Sequence, residues 1–558
     1  MKITKTLLTI SFFLFKSITC FAQWSTDTTI NNPICIAQND QSPPYTISDG
    51  NGGTIMVWYD FRNGASNIDI YAQRIDANGV IQWVTDGIPI CTAVNNQEYP
   101  QIIPDGNGGA IIAWSDYRNS TFEYDIYAQK INAAGLIQWA NNGVPICTAA
   151  FDNHDPNMVS DGNGGAIITW VDNRILENNL DIYAQSINSS GIVQWATDGI
   201  VICGNTAQNQ FPKIVSDGSN GAIITWQDSR NGNFDIYAQR VNSSGIIQWT
   251  NNGVAICTAP DSQSYPSIIS NNNGGAIITW SDGRNSSTSA YDIFAQCINS
   301  NGIVQWAVNG VTICASSNDQ DSPELVSDGN NGAIITWTDY RITANSADLY
   351  AQRISSNGIV QWAANGIAIS NTINNQWLAN IISDNNGGAI ITWQDERLDF
   401  PSYDIYVQRI NFNGDLQWTT NGTPVSTAIN MQRKPSILSD GNGGSIITWA
   451  DFRSGTNYDI YAQKINTSGT LSTDMYAVSN DSLYIFPNPS NGLITIKSTE
   501  NISYIYITNQ LGEIVYKNEC SNLNDKDFDL TNLSNGIYFY KVITDSNKIS
   551  KGKIIIKH

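Results

Sequence analysis

The polar residues best placed to do chemistry in this chain come as a fixed set, Asp-x-Arg followed by a second Asp. Asp60, Arg62 and Asp69 form the first copy, Asp228, Arg230 and Asp235 the fourth, and Asp451, Arg453 and Asp459 the eighth and last. Rings of carboxylates and guanidiniums at one end of a barrel would suit sugar hydroxyls or a cation. The same groups could instead hold a strand-connecting loop through charge-assisted hydrogen bonds. Presence in every copy favours the structural role, because a single ligand site needs only a few copies.

Other chemistry is thinly supplied. The chain has two histidines, His154 and His558, which leaves a Ser-His-Asp or Cys-His arrangement little to work with. Pairs of Asp could hydrolyse glycosides, but nothing singles out two among so many. Cys35, Cys91, Cys147, Cys203, Cys257 and Cys314 occupy one repeat position that Ser370 and Ser426 fill in later copies. Equivalent positions in successive copies point the same way, and a disulfide needs Cα atoms within about 7 Å. These cysteines read as small buried hydrophobes. No Cys-x-x-Cys or Cys/His cluster suggests a metal, and no cofactor motif is found. The turn Asp105 to Gly109 is shorter than an oxygen-ligand calcium loop and reads as a hairpin turn.

These residues belong to a repeat. Trp58, Trp114, Trp170, Trp226, Trp280, Trp337, Trp393 and Trp449 recur at spacings of 54 to 57 residues, giving eight copies. Each copy predicts four strands: a short opening strand such as Pro266–Ile269, an Asp-Gly-Asn-Gly-Gly turn, and then Gly-Ala-Ile-Ile-Thr-Trp, apolar on both faces. Asp-Ile-Tyr-Ala-Gln follows, and finally Val-Ala-Ile-Cys after a Gln-Trp element. Four strands in about 56 residues is the size of a propeller blade. The last copy lacks the Gln-Trp element, whereas the N-terminus carries an orphan Gln23-Trp24 with the strand Pro33-Ile34-Cys35. Such an offset suits a ring in which the first outer strand completes the last blade and removes free edges. The expected fold is therefore all-β, an eight-bladed β-propeller over 23–470, with an open solenoid as the alternative. The layout loosely resembles the delta-60 type of bacterial propeller repeat, which implies a fold and no activity.

Charge and ends bound the setting. The formal net charge of −21 lies almost wholly in the repeats, since the segment from Leu483 carries eight Lys against seven acids. Nucleic acid and anionic membranes, which need clustered Lys and Arg, are poor partners. Lys2 and Lys5 precede the apolar run Leu7 to Phe15, and Cys20-Phe21-Ala22 offers small residues for cleavage, so residues 1–22 read as a signal peptide. No other segment reads as transmembrane.

The repeat also says where to look for recognition. Its tryptophans sit in buried or alternating strand patterns and read as core. Trp377, in Asn375-Gln376-Trp377, reads as a loop residue where other copies are polar, and hence as an exposed contact. The segments between Arg and the second Asp vary among copies, among them Asn231 to Phe234, Ile175 to Leu180, Asn285 to Tyr291 and Leu398 to Tyr403. So do the joins between copies, such as Phe151 to His154. In a four-stranded blade both loop classes emerge on one face, and variable loops on a rigid scaffold are where binding concentrates. The candidate binding residues are Trp377, His154, Phe234, Tyr291 and Tyr403.

After a linker at 471–482 the pattern changes. Tyr484-Ile485-Phe486-Pro487-Asn488-Pro489 opens the last segment. Ile505 to Val515 with Leu511-Gly512-Glu513 follows, then Asn535-Gly536-Ile537-Tyr538 before a Lys-rich end. Alternating strands with Gly turns predict a small β-sandwich over 483–558. These blocks closely resemble the type A C-terminal sorting domain of the type IX (Por) secretion system of Bacteroidota. That resemblance rests on Pro487, Asn488, Pro489, Gly512, Gly536 and Tyr538. It implies that the outer-membrane translocon reads the domain and that the body ends up released or attached at the cell surface. The expected function is non-catalytic binding of carbohydrate or another surface ligand. A polysaccharide-degrading hydrolase or lyase, and a structural or gliding-associated surface component, are the alternatives.

Overall fold

The computed structural model describes residues 24–471 and 483–558, except 121, 177–178, 286–289, 344–345, 399–401, 489, 510–512 and 546–548. The chain divides into two compact units, Met1–Thr473 and Asp474–His558. Residues 1–22 and nearly all of 471–482 lie outside the described residues.

The first unit is all-β, with no helix among the described residues. It contains eight open four-stranded sheets. The fourth is typical: Asn209–Ser216, Ala222–Asp228, Asp235–Val241 and Val254–Cys257 pair antiparallel in chain order. The second strand is buried along its whole length, which is why its sequence is apolar on both faces. One side packs on the preceding sheet and the other on the next; Ile167, Ile182 and Ile202 of the third sheet share a cluster with Ile224, Trp226 and Tyr237 of the fourth. Each isoleucine buried in this way contributes about 1.5–3 kcal/mol.

The turns are held by their own aspartates. Asp217 Oδ1 accepts the backbone N–H of Ser219 and of Gly221, both at 2.8 Å, and Oδ2 pairs with Arg240 at 2.8 Å. A Cβ at Gly221 would lie 2.4 Å from the Val241 carbonyl, so the turn requires glycine there. Successive sheets interlock through the Gln-Trp element. The Trp195 indole donates to the Ser243 carbonyl at 3.1 Å and lies where a side chain at Gly245 would go.

The N-terminal segment joins the last sheet. Strand Asn32–Cys35 pairs with Asp459–Ile465 in the register Asn32↔Ala462, Pro33↔Tyr461 and Cys35↔Ile460. The Trp24 indole donates to the Ala77 carbonyl at 3.0 Å, as the other Gln-Trp indoles do to their own next sheets. Gln41 N–H donates to the Tyr458 carbonyl at 2.7 Å, and the Thr46 and Ser436 hydroxyls lie 2.7 Å apart. Trp24, Ile34, Trp58, Leu438 and Ile460 share one core.

The second unit is all-β as well. Its strands form one five-stranded sheet. Leu493–Thr508 and Ile514–Asp529, sixteen residues each, pair as Leu493↔Asp529 to Lys497↔Asp525 and again from Ile502↔Leu523 onward, with register shifts between the two stretches. Ile494 and Ile496 in the first stretch enter the same core as Ile505 and Ile507 in the second.

Candidate functional site

The Asp-x-Arg set builds a latch inside each sheet. In the second sheet the Trp114 indole donates to Asp116 Oδ2 at 2.7 Å, and Arg118 Nη2 donates to the same oxygen at 2.6 Å. The Arg118 backbone N–H and Nε both donate to Oδ1, at 2.8 and 2.9 Å. Nη2 also donates to the Asn142 carbonyl at 2.7 Å and lies 3.1 Å from Cys91 Sγ, while the guanidinium stacks 3.7 Å above the Tyr127 ring. Asp60 with Arg62, Asp228 with Arg230 and Asp451 with Arg453 are arranged alike. Burial favours the neutral form of Asp228, but hydrogen bonds from Arg230 and Trp226 outweigh it and hold the carboxyl below the ordinary range. With its oxygens enclosed, this carboxylate is closed to a ligand. Burial also pushes the Cys91 thiol up to about 12, which removes it as a nucleophile.

The second Asp of each set pairs across the hairpin with the first, as in Asp60↔Asp69. Asparagine covers it in several sheets: Asn63 donates to Asp69 at 2.6 Å, Asn231 to Asp235 at 2.7 Å, and Asn457 to Asp459 at 2.7 Å. The third and sixth sheets have Ile175 and Ile342 where the first, second, fourth and fifth have asparagine. Both oxygens of Asp181 and Oδ2 of Asp348 are then buried without a partner. Burial above all, reinforced by the neighbouring first Asp, raises Asp181 to about 7 and Asp348 to about 6. A carboxyl raised above its unfolded value near 4 stabilises the fold fully below about pH 4 and loses that contribution as pH rises through about 7. Asp181→Asn should therefore raise the melting temperature at pH 8 by a few degrees, about 2 kcal/mol, and give no gain at pH 4. Melting curves at the two pH values check this; an equal gain at both would contradict it.

Exposed side chains on an unusual backbone lie on the first strands of the sheets. These strands bulge: register shifts fall between Glu98 and Gln101, His154 and Asn157, Trp377 and Asn380, and Arg433 and Ser436. At the bulge stands a residue with left-handed φ, namely Tyr99, Asp155, Phe211, Tyr265, Ser322, Leu378 or Lys434, with φ between 49° and 55°. Pro43 occupies the position in the first sheet. A left-handed L-residue costs about 1–2 kcal/mol, and glycine would remove that cost. At the other left-handed positions among the described residues the repeats use Gly, Asn or Asp, apart from Phe151 and Ala290. At the bulge none of the seven is glycine. Several of these side chains stand in solvent, Tyr99 at 44% and Tyr265 at 53% exposure.

His154 and Trp377 sit at one repeat position, immediately before the bulge residue. Trp377 is therefore not on a loop: it is the second residue of strand Gln376–Ser383, paired with Gln394 and half-buried. The repeat pairing that continues past the bulge carries it into the sheet. Its ring lies 6.0 Å from that of Tyr403. His154 Nδ1 lies 3.2 Å from Asp155 Oδ2. Burial works against the charged imidazole, yet the hydrogen bond and charge of Asp155 outweigh it and raise its pKa. Phe234, Tyr291 and Tyr403 share a second position, just before the second Asp, where their carbonyls accept the N–H of Gln263, Gln320 and Gln432 at 2.7 Å. The two positions meet: Tyr403 beside Trp377, Tyr124 bonded to Glu98, and Arg433 stacked on Tyr458. Sequence reasoning missed Tyr45, Tyr59, Glu98 and Tyr99. Parts of three variable hairpins, residues 177–178, 286–289 and 399–401, lie outside the described residues.

In the second unit Asn488 Nδ2 donates to the Lys553 carbonyl at 2.8 Å and its Oδ1 accepts Ile555 N–H at 2.8 Å, tying the Pro487-Asn488 segment to the last strand. Tyr538 is buried, with its hydroxyl donating to the Ser534 carbonyl at 3.0 Å, and Gly536 begins the strand Gly536–Thr544. Pro489 and Gly512 lie outside the described residues. Among the described residues no group of three or more His, Cys, Asp or Glu is placed to hold a metal, and no helix is long and apolar enough to cross a membrane.

Comparison with known proteins divides along the same boundary. The polysaccharide lyase Uly1 superposes with a TM-score of 0.41 at 8% identity over 69% of this chain and 94% of its own. An ulvan lyase bound to -[GlcA(1-4)Rha3S]- gives 0.40 at 10% identity over 56% and 79%. The α-L-arabinofuranosidase Arb93A of Fusarium graminearum gives 0.35 at 11% over 57% and 94%. Likeness at this level carries no argument about activity. No curated protein matches the chain in sequence. The family of secretion system C-terminal sorting domains matches residues 484–557. The end of this chain is thus a sorting domain of the type IX secretion system, and the protein is exported, to be secreted or attached at the outer surface.

Proposed function

We propose that the eight sheets are the blades of a closed eight-bladed propeller spanning 23–470, and that the exported protein is a non-catalytic binding module for carbohydrate or another surface ligand. In this reading residues 1–22 are a signal peptide, 471–482 a linker and 483–558 the sorting domain. Closure is supported by the pairing of Asn32–Cys35 with Asp459–Ile465 and by the Thr46–Ser436 contact between the first and last sheets.

One observation carries the binding reading. Seven first strands hold a non-glycine side chain at a strained, left-handed bulge in a repeat that elsewhere fills such positions almost entirely with Gly, Asn or Asp. Backbone strain held at one repeated place, with chemically unlike side chains, is expected of a surface kept for contact rather than for packing. The latch carboxylates are engaged internally, which argues against their serving as general acids or bases. A glycan array combined with a hydrolysis screen on the purified protein tests the reading. Binding without turnover is the expected result. Turnover would replace it with a hydrolase or lyase, and silence in both assays would favour a structural surface component.

A further inference from the structure

We propose that the contact surface is an aromatic row across the first and second sheets and that it takes an uncharged polysaccharide; this rests on the binding reading above. The rings of Phe61, Tyr59, Tyr99, Tyr124 and Tyr117 follow one another with centroid spacings of 5.8, 6.0, 6.3 and 3.7 Å. Tyr99 and Tyr45, 44% and 41% exposed, are the most open of the tyrosines there. An aromatic face offers a sugar ring an apolar surface while phenol hydroxyls at its edge remain free to bond. Polar groups stand beside the row: Glu98, bonded to the Tyr124 hydroxyl, Gln101, close to Tyr45, and the His154–Asp155 pair.

Charge selects the class of ligand. Glu98, Asp155 and Asp152 are the carboxylates of this sector, and His154 is tied to Asp155. The cations nearby, Arg433 stacked on Tyr458 and Lys213 facing Asp155, are outnumbered by these carboxylates, in a chain whose net charge is −21. A polyanion would meet like charge here, whereas hydroxyl-rich uncharged chains would meet acceptors and donors. At one end, Phe61 also lines a pocket of about 430 Å³ whose other walls include Asn39, Asp40, Thr456 and Asn457, all able to hydrogen-bond. Tyr99 is the pivot of the row, because it touches both Tyr59 and Tyr124 and is the member set on the strained bulge, at φ 53° ahead of Pro100.

The full exported protein and three variants, Tyr99→Gly, Tyr45→Ala and Val308→Ser, should be titrated calorimetrically. The probes are laminarin, galactomannan and xyloglucan as uncharged polymers, and alginate and polygalacturonate as polyanions. Val308 lies on a turn away from the row and is 84% exposed. At least one uncharged polymer should bind. Tyr99→Gly and Tyr45→Ala should each weaken it about tenfold or more, roughly the size of losing one stacked anchor. Glycine adopts the bulge conformation freely, so Tyr99→Gly should melt within about 2 °C of the parent. Val308→Ser should leave binding unchanged. Binding of uncharged polymer that both tyrosine variants retain would overturn the row while sparing the binding reading. Preference for the polyanions would overturn the ligand class. No binding to any polymer would overturn this inference, and the wider glycan array decides whether the binding reading falls with it.

Discussion

Asp116→Ala is expected to destabilise the repeat unit by about 3–5 kcal/mol, the usual consequence of removing one partner from a buried ion pair. Asp116 is fully buried and takes four hydrogen bonds from Trp114 and Arg118. Its loss leaves the fully buried Trp114 indole N–H and the largely buried guanidinium without their shared acceptor. Arg118 would keep the Asn142 carbonyl and the face of Tyr127, but neither neutralises its charge. The same latch offers a control. Cys91 touches Arg118 in the second sheet, and Ser370 touches Arg397 in the seventh through its hydroxyl at 3.1 Å. Cys91→Ser should therefore cost no more than about 1 kcal/mol. Urea midpoints of the two variants, read by tryptophan fluorescence, compare them directly. Equal costs would mean that the carboxylate is not what holds the hairpin.

Deleting residues 23–36 should have a comparable or larger effect, for a different reason. The deletion removes Trp24, Ile34 and Cys35 from the core shared by the first and last sheets. It also removes the carbonyls of Thr29 and Ile30 and the side chain of Asn31, which Arg453 uses in place of the downstream segment available to other sheets. Losing two large buried side chains costs roughly 2–3 kcal/mol each. An uncovered Asp459–Ile465 edge then invites pairing with another molecule. The expected outcome is a soluble yield that collapses, or a melting temperature lowered by ten degrees or more, with aggregation. A synthetic peptide of residues 23–38 added during refolding should restore soluble protein by adding the missing strand. A deletion product that melts like the parent would contradict the account.

Much of this was legible in the sequence because the repeat is its own alignment. The buried second strand follows from Ala-Ile-Ile-Thr-Trp, and the offset of Trp24 against the missing last Gln-Trp anticipates the pairing of Asn32–Cys35 with Asp459–Ile465. Electrostatic compensation is visible as well. Where Cys297 replaces the Arg that faces the turn aspartate, Asn271 replaces the aspartate. Asp161 faces Ser186 and breaks that pairing; nothing in the structure explains it.

The bulge was not legible. A residue before proline is expected in the extended region, so Tyr99 ahead of Pro100 reads as ordinary strand. Its left-handed φ arises only when the pairing of Gln97 with Asp116 and of Gln101 with Ala113 must both be kept, with one residue too many between them. A signal existed nonetheless. Glu98-Tyr99, His154-Asp155 and Trp377-Leu378 vary freely inside strands that keep Gln or Asn at the start and two apolar residues near the end. Attention to variable loops located His154 and Trp377 and stopped one residue short of the bulge positions beside them.

The contact between the first and last sheets can be trapped chemically. Thr46 and Ser436, with hydroxyls 2.7 Å apart, would be replaced by cysteine, and a protease site inserted at the exposed Gly232 turn of the fourth sheet. After oxidation and cleavage, the halves should run as one band on a non-reducing gel and as two on addition of reductant. Halves that separate without reductant, in protein that is otherwise folded, would mean that the two ends of the array do not meet.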